Sequence, residues 1–284
     1  MVNYRFLKEE KGQECHLHQY RKDENSNWEN MTGASTIVSI LDKSGLVWWA
    51  SGKAVETLGW MHPNPKINGK YIKVSMEERL EHLKPYYDKI KSETEEEYLS
   101  LLDDAYKAHS VRLGESAEAG TSLHEKLENY VKDCMEYGIE NVDTVGSVKQ
   151  VKDFEEFTKK YIKRFIWSEA HMYDEDLFVG GISDCGAVMK DGSNAIIDFK
   201  SSKEAYFSHF VQISLYNVLF EKNGLVTANG EQLATYVYPI SKYFVIPFGA
   251  SEFTVHENTN IHDLKKCALS CVNLYREKIN FENQ

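Results

Sequence analysis

The chain has 284 residues, of which 42% are hydrophobic and 27% are charged, as in ordinary globular proteins. No apolar run approaches the roughly 20 residues of a membrane helix, and no apolar leader follows the first residue, so we expect a cytoplasmic protein without membrane partners. The five cysteines form no CxxC pair, which favours reduced thiols. The formal net charge of −11 disfavours a protein that coats nucleic acid nonspecifically, because phosphate neutralisation supplies most of that affinity.

The N-terminal half is predicted to be mostly helical. Residues 36–60 are apolar and predict a helix, whereas the prolines and the glycine within residues 62–69 predict a loop. Residues 75–111 predict one or two long amphipathic helices, and residues 114–120 interrupt that pattern. Over residues 123–134 apolar side chains recur at spacings of four, four and three, which predicts one buried helix face.

The hydrophobic period changes further along the chain. Residues 154–166 still predict a helix, but residues 177–184 and 195–200 predict two strands. The intervening residues 190–193, with the sequence Lys-Asp-Gly-Ser, are typical turn material. The first predicted strand pair of the chain therefore lies in its second half.

The last third alternates helix and strand. Ser201–Glu204 fits a capping box that opens a helix, and Gly224 is a stop signal for it. Residues 233–240 and 243–246 predict strands, and residues 261–279 predict a closing helix. This order of elements predicts an α/β (α+β) fold.

Two acidic residues and a lysine form the most informative group in the sequence. Asp198 and Lys200 are two apart on one predicted strand, so they share a face, and Asp184 ends the neighbouring strand. Carboxylates are hard ligands for Mg²⁺, and a bound ion activates water and stabilises charge on a phosphoryl group. The pattern indicates phosphodiester hydrolysis, and a surface hairpin with an ordinary Asp–Lys pair remains the alternative.

The turn between the two strands decides whether the carboxylates can meet. A two-residue turn at Asp191 and Gly192 would place Asp184 and Asp198 on opposite faces. A loop of three or five residues places them on the same face. We therefore expect an odd-numbered loop, or a bulge that restores the parity.

Two helical segments carry further polar residues. His124 follows Gly120 and Thr121 and leans toward the buried face of its predicted helix, where a buried histidine with a satisfied hydrogen bond is the alternative to a functional one. Gln212 and Tyr216 are four apart and share a helix face. Alone they would be the polar edge of a core stripe.

Together these segments resemble the PD-(D/E)XK nuclease superfamily, in particular its RecB-like, phage-type exonuclease branch, which includes mitochondrial genome maintenance exonucleases. The branch has the motifs G-T-x-x-H, G-x-x-D, D/E-x-K and Q-x-x-x-Y in this order. The matching segments here are Gly120–His124, Gly181–Asp184, Asp198–Lys200 and Gln212 to Tyr216. Each motif is weak alone, and their combination in the family order makes the resemblance specific.

The resemblance implies a restriction-endonuclease-like core, with a central mixed sheet flanked by helices. It implies one nuclease domain over residues 1–284, with a mostly helical part over 1–115 and the catalytic core over 116–284. The implied catalytic residues are Asp184, Asp198 and Lys200. The implied ligands of one or two Mg²⁺ or Mn²⁺ ions are His124, Asp184, Asp198 and the carbonyl of Phe199. Residues with implied supporting or DNA-binding roles are Glu169, Gln212, Tyr216, Ser201, Lys203 and Arg112.

The expected activity is metal-dependent exonuclease digestion of DNA ends, single-stranded or double-stranded, in replication, recombination or repair. A single-strand-annealing or replication protein is an expected partner, in the cytoplasm of a bacterial or phage-infected cell. Cys267 and Cys271 lack the third cysteine of the iron–sulfur members, so no iron–sulfur cluster is expected. The alternatives are an endonuclease of the same superfamily and a catalytically inactive nucleic-acid-binding module.

Overall fold

The computed structural model describes residues 2–10, 13–41, 44–67, 70–234, 239–250 and 252–283. It divides into two compact units. The first unit comprises Met1–Leu41 and Gly120–Gln284, and the second comprises Asp42–Ala119. Among the described residues, no helix is long and apolar enough to cross a membrane.

The chain begins with a small antiparallel sheet in the first unit. Its strands and the short segments after it are β1 (Tyr4–Glu10), β2 (Gln13–Tyr20), β3 (Glu29–Asn30), β4 (Thr32–Gly33) and α1 (Ala34–Val38). The order is β1-β2-β3, and Tyr4 and Phe6 from β1 pack with Met31 beneath the sheet. These residues were expected in a mostly helical N-terminal part. That expectation is wrong for β1 to β4, where cross-strand pairs of aromatic and histidine side chains stabilise strands.

The second unit is mostly helical. Its elements are α2 (Ser44–Thr57), β5 (Lys66–Ile67), β6 (Lys70–Tyr71), α3 (Met76–Ser92) and the beginning of α4 (Glu95–Tyr137). Ser75 and Glu78 form a capping box at the start of α3, in which each side chain accepts from the other's backbone N–H. The predicted loop over 62–69 contains the β5 pairing, and part of it lies outside the described residues.

Helix α4 continues to Tyr137 in the first unit and is followed by a 3₁₀ turn at Ile139–Asn141. The predicted interruption at residues 114–120 is wrong, because the helix runs through both Gly114 and Gly120. Glycine lowers helix propensity by only about 1 kcal/mol, so a long helix tolerates it. Leu127, Val131 and Cys134 are buried, which confirms the predicted face.

The next elements build the centre of the first unit. They are α5 (Lys149–Tyr161), β7 (Ile162–Asp174), β8 (Val179–Met189) and β9 (Asn194–Lys200). The helix predicted over 154–166 ends at Tyr161, and the residues after it are strand. The long antiparallel pairing of β7 with β8 overrides the local helical pattern there.

The remaining elements complete the sheet and cover it. They are α6 (Phe207–Asn223), β10 (Leu225–Val226), β11 (Gln232–Ala234), β12 (Lys242–Pro247), β13 (His256–Asn258) and α7 (Ile261–Glu282). Gly224 ends α6 as predicted. The predicted capping box at Ser201–Glu204 is wrong, since α6 begins only at Phe207. Of the strand predicted over 233–240, residues 235–238 lie outside the described residues.

The central sheet is mixed, with the order β11-β10-β7-β8-β9-β12-β13 and β4 added beside β8. The pairs β12–β9 and β4–β8 are parallel, and the other pairs are antiparallel. One face of the sheet packs against α1, α6 and α7, and the other face packs against α5 and the last part of α4. The fold is therefore α/β, with helices on both sides of a mixed sheet. The expectation of a single domain stays a prediction.

A substitution at Gly186 on β8 can test how closely side chains pack on this sheet. A Cβ atom there would overlap the buried ring of Trp167, which also donates from Nε1 to Ser183 Oγ at 3.3 Å. We expect Gly186→Ala to lower the free energy of unfolding by about 1–3 kcal/mol, because the ring must leave its position. Urea denaturation measures this change.

The matched control is Gly114→Ala. A Cβ atom at this site on α4 meets nothing within 4 Å, and alanine favours the helix by up to about 1 kcal/mol. Equal and small effects of the two substitutions would contradict the packing described for β8.

Candidate active site

Strands β8 and β9 bring the two predicted carboxylates together. The ladder runs from Val188 opposite Asn194 to Cys185 opposite Ile197. One further step in this register places Asp184 opposite Asp198. Five residues, 189–193, lie between the two members of the last laddered pair, Val188 and Asn194, so the connection corresponds to the expected five-residue case.

The regular pairing stops where the site begins. Instead of continuing the ladder, the Phe199 backbone N–H donates to Asp184 Oδ2 at 2.6 Å. Along β8, Val179 packs on the α6 side of the sheet, whereas Cys185 packs on the α5 side, so the side-chain alternation reverses between them. Opposite this point on β7, Glu169 has a φ of 44°, a left-handed conformation that is rare for residues other than glycine. The irregularity lets the Asp184 side chain reach the β9 backbone.

Helix α4 supplies the histidine. His124 Nε2 lies 3.1 Å from Asp184 Oδ1, and its ring stands edge-on to Phe199 with the centroids 5.7 Å apart. The hydrogen bond to Asp184 raises the pKa of His124, against the opposing effect of burial. With its side chain 43% exposed, His124 is not the histidine enclosed in the core that the alternative required.

Asp198 is the most buried charged group of the site, with 2% of its surface exposed. Lys200 Nζ lies 2.8 Å from Asp198 Oδ2, within hydrogen-bond distance, and the two groups form an ion pair. Burial raises the pKa of Asp198 to about 6; Lys200 opposes this shift, and Asp184 adds to it. Asp198 is thus a buried carboxylate whose charge is balanced in part by Lys200.

Lys200 is fixed by residues from α6. Its Nζ donates to Gln212 Oε1 at 3.1 Å, and Gln212 Nε2 donates to the Tyr216 hydroxyl at 2.6 Å. Although burial lowers the pKa of Lys200, the carboxylates of Asp198 and Asp184 hold it above its usual value. The ammonium is therefore charged at neutral pH and points at Asp198.

Four further residues were predicted to support the site or to bind DNA. Glu169 shares a hydrogen bond with Glu128, and burial, followed by this contact, raises the pKa of Glu169. Ser201 lies against Gly120, where a Cβ atom would come within 2.9 Å of the serine Cβ. Lys203 is exposed in the loop after β9, and Arg112 is exposed in the part of α4 that belongs to the second unit.

Glu128 is a site neighbour that the sequence analysis missed. It follows His124 by one helical turn on α4, and Lys132, one turn later, forms an ion pair with it. The hydrogen bonds from Lys132 and Glu169 lower the pKa of Glu128, against burial. The sequence did carry a signal for Glu128, because His124, Glu128 and Lys132 follow each other at intervals of four residues. Residues at this spacing form a polar row beside the apolar face of the helix.

The described residues contain no group of three or more His, Cys, Asp or Glu side chains already arranged around a metal position. The reason is visible in the contacts, because His124 and the Phe199 N–H each occupy one oxygen of Asp184. The donor set suits a divalent cation by chemistry, with two carboxylates, an imidazole and a nearby backbone carbonyl. A cation between the two carboxylates would offset the negative charge that Lys200 alone does not balance.

Comparison with known proteins adds little to this geometry. No family model matches the chain, and no curated protein matches it. A solved structure with some similarity is the crystal structure of SSO0001, at 13% identity and a TM-score of 0.25. The match covers 52% of this chain and 71% of that chain. A likeness this distant indicates no function.

The electrostatics of the site can be tested in the metal-free protein. We expect the carboxyl of Asp198 to titrate near pH 6, since burial disfavours its charged form. Asp184→Asn removes a repelling charge and should lower this pKa, whereas Lys200→Met removes an attracting charge and should raise it. Carbon-13 NMR of the aspartate carboxyl groups measures each shift. A titration near pH 4 that is insensitive to both substitutions would contradict the buried arrangement.

Proposed function

We propose that this protein is a Mg²⁺- or Mn²⁺-dependent deoxyribonuclease of the PD-(D/E)XK superfamily, in its RecB-like exonuclease branch, which hydrolyses DNA from its ends. The observation that carries the proposal is the buried carboxylate of Asp198, which forms an ion pair with Lys200 and whose pKa is raised in part by the neighbouring Asp184. Two carboxylates beside one lysine leave an excess of negative charge in a buried site. A cation bound between them would offset this charge.

The fold is compatible with this proposal. A mixed sheet flanked by helices on both faces is the core that the sequence motifs imply. The four motif segments, which are separated by up to 92 positions in the sequence from His124 to Tyr216, converge through direct contacts. His124 contacts Asp184, Lys200 contacts Asp198, and Gln212 joins Lys200 to Tyr216. Convergence of this kind is not expected of residues that match a pattern by chance.

The cation would be held by the carboxylates of Asp184 and Asp198 and the carbonyl oxygen of Phe199, with His124 as a nitrogen ligand. When bound, it lowers the pKa of a coordinated water and stabilises charge on the phosphoryl group. To join the ligand set, His124 must exchange its bond to Asp184 Oδ1. The Phe199 N–H can keep Asp184 oriented during this exchange, because it donates to the other oxygen.

Lys200 acts as a charge rather than as a base. Its pKa lies above the usual value in the metal-free protein, so it carries a proton at neutral pH. The ammonium can orient the attacking water or offset the negative charge that develops on the phosphoryl oxygens. Gln212, supported by Tyr216, keeps Nζ in place and leaves the remaining ammonium protons directed to Asp198 and the substrate.

The proposal includes the expected setting of replication, recombination or repair, with a single-strand-annealing or replication protein as a partner. An endonuclease of the same superfamily would use the same site and would also cut closed circular DNA. A catalytically inactive binding module is disfavoured by the intact set of Asp184, Asp198 and Lys200. Digestion of linear and closed circular DNA with Mg²⁺, and with EDTA as a blank, separates the three cases.

Lys200→Met tests the catalytic set. We expect kcat to fall at least about 100-fold, because a charge placed at the developing negative charge is lost. DNA binding should survive in part, and release of nucleotides from end-labelled DNA measures the rate. Lys222→Met is the matched control, since Lys222 lies on α6 and forms an ion pair with the exposed Asp176. Near-wild-type turnover of Lys200→Met would rule out its assigned role.

Metal binding has a separate readout in protein stability. A ligand that binds only the folded state at 100 times its dissociation constant stabilises the fold by about 2.7 kcal/mol. We expect Mn²⁺ or Mg²⁺ to raise the unfolding free energy of the wild-type protein in this way, and to have no such effect on Asp184→Ala or Asp198→Ala. Asp176→Asn, an exposed carboxylate outside the site, should retain the response. Equal responses in all variants would place the cation elsewhere.

A further inference from the structure

The loop that joins β9 to α6 is anchored at the candidate site. The Phe248 N–H donates to the Lys200 carbonyl at 2.8 Å, and the Gly249 N–H donates to the Ser202 carbonyl at 2.9 Å. A Cβ atom at Gly249 would overlap the Ser201 carbonyl, so the two backbones pack directly on each other. The start of the loop therefore has a fixed position relative to Lys200.

Two consecutive aromatic side chains lie at the other end of this loop. Tyr206 is 51% exposed and Phe207 is 57% exposed, although most of α6 beyond them is buried in the core. The Tyr206 ring stands edge-on to His209, with the centroids 5.2 Å apart. Helix α6 thus begins with an exposed aromatic pair and continues as one of the most buried helices of the first unit.

The spacing along α6 relates this aromatic pair to the candidate site. Phe207 precedes Gln212 by five residues, which is about 7.5 Å along a helix axis. Gln212 in turn contacts Lys200. This axial distance corresponds to about two stacked nucleotides at 3.4 Å each. Lys203, exposed in the same loop, adds positive charge where a nucleic-acid backbone would pass.

We propose that Tyr206 and Phe207 stack on an unpaired base about two nucleotides from the cleaved phosphodiester, so that the substrate strand reaches the site in single-stranded form. The proposal rests on the proposed nuclease function and adds its substrate class. Exposed aromatic rings bind bases of any sequence, because every base offers a π face. Inward of the terminal pair, a base in a duplex is covered on both faces by its neighbours, so a duplex end must fray before such a base can stack on these rings.

Kinetics on end-labelled single-stranded DNA with Mg²⁺ test this role. We expect Phe207→Ala and Tyr206→Ala to raise KM by about 5- to 100-fold, the range for loss of one base–aromatic stack, with kcat changed much less. Phe207→Trp keeps an aromatic face and should stay close to wild type. Phe281→Ala is the matched control, because this phenylalanine is 78% exposed near the end of α7.

An abasic nucleotide identifies the stacked base directly. Placed at successive positions of the strand, it should raise KM of the wild type at one position near the cleaved bond. At that position it should have little further effect on Phe207→Ala, because the stack is already lost. The proposal would be overturned if the abasic nucleotide and Phe207→Ala had independent, multiplicative effects on KM at every position of the strand. An unchanged KM in both alanine variants would also overturn it, and so would a preference of the wild type for blunt duplex DNA. Absence of metal-dependent cleavage by the wild type would overturn the nuclease function itself and, with it, this inference.

Discussion

The burial of Asp198 is the constraint on which the rest of the site depends. A carboxylate inside the sheet is costly, and the pKa of about 6 expresses this cost. Because this value lies above that of the unfolded chain, the contribution of Asp198 to stability decreases as the pH rises from about 4 to about 6. The shift of about two pKa units corresponds to roughly 3 kcal/mol. Lys200 offsets part of this cost, and the fold supplies the remainder through its packing.

The contacts around Asp198 each follow from this constraint. Gln212 and Tyr216 hold the lysine that neutralises it, and the reversal of side-chain alternation in β8 brings Asp184 beside it. Glu169 lies on β7 opposite the irregularity in β8, and its backbone has a left-handed conformation. Conformations of this kind persist where the surrounding structure enforces them, and they cluster at functional sites. The protein thus combines backbone strain and a buried, ion-paired carboxylate in one small region.

Much of this region was predictable, because strand and helix periodicity place Asp198 with Lys200 and Gln212 with Tyr216 on shared faces. The parity of the loop between β8 and β9 was also correctly expected. The strands β1 and β2 were not predicted, and hydrophobic periodicity did not indicate β7, since the stability of these strands comes from partners distant in sequence. The pairing of Glu169 with Glu128 was missed for a similar reason, as it depends on how α4 packs over β7. Local sequence patterns indicated the candidate residues, and tertiary packing decided which polar groups meet.

The central claim is that the carboxylates of Asp184 and Asp198 bind one divalent cation. Anomalous diffraction from crystals soaked in Mn²⁺ tests it most directly, because the signal locates the ion without reference to activity. The account predicts a peak within about 2.0–2.6 Å of an oxygen from each aspartate, with the His124 ring turned away from Asp184 Oδ1. A Mn²⁺-saturated protein with no peak between the two carboxylates, and with the bond from His124 to Asp184 intact, would contradict it.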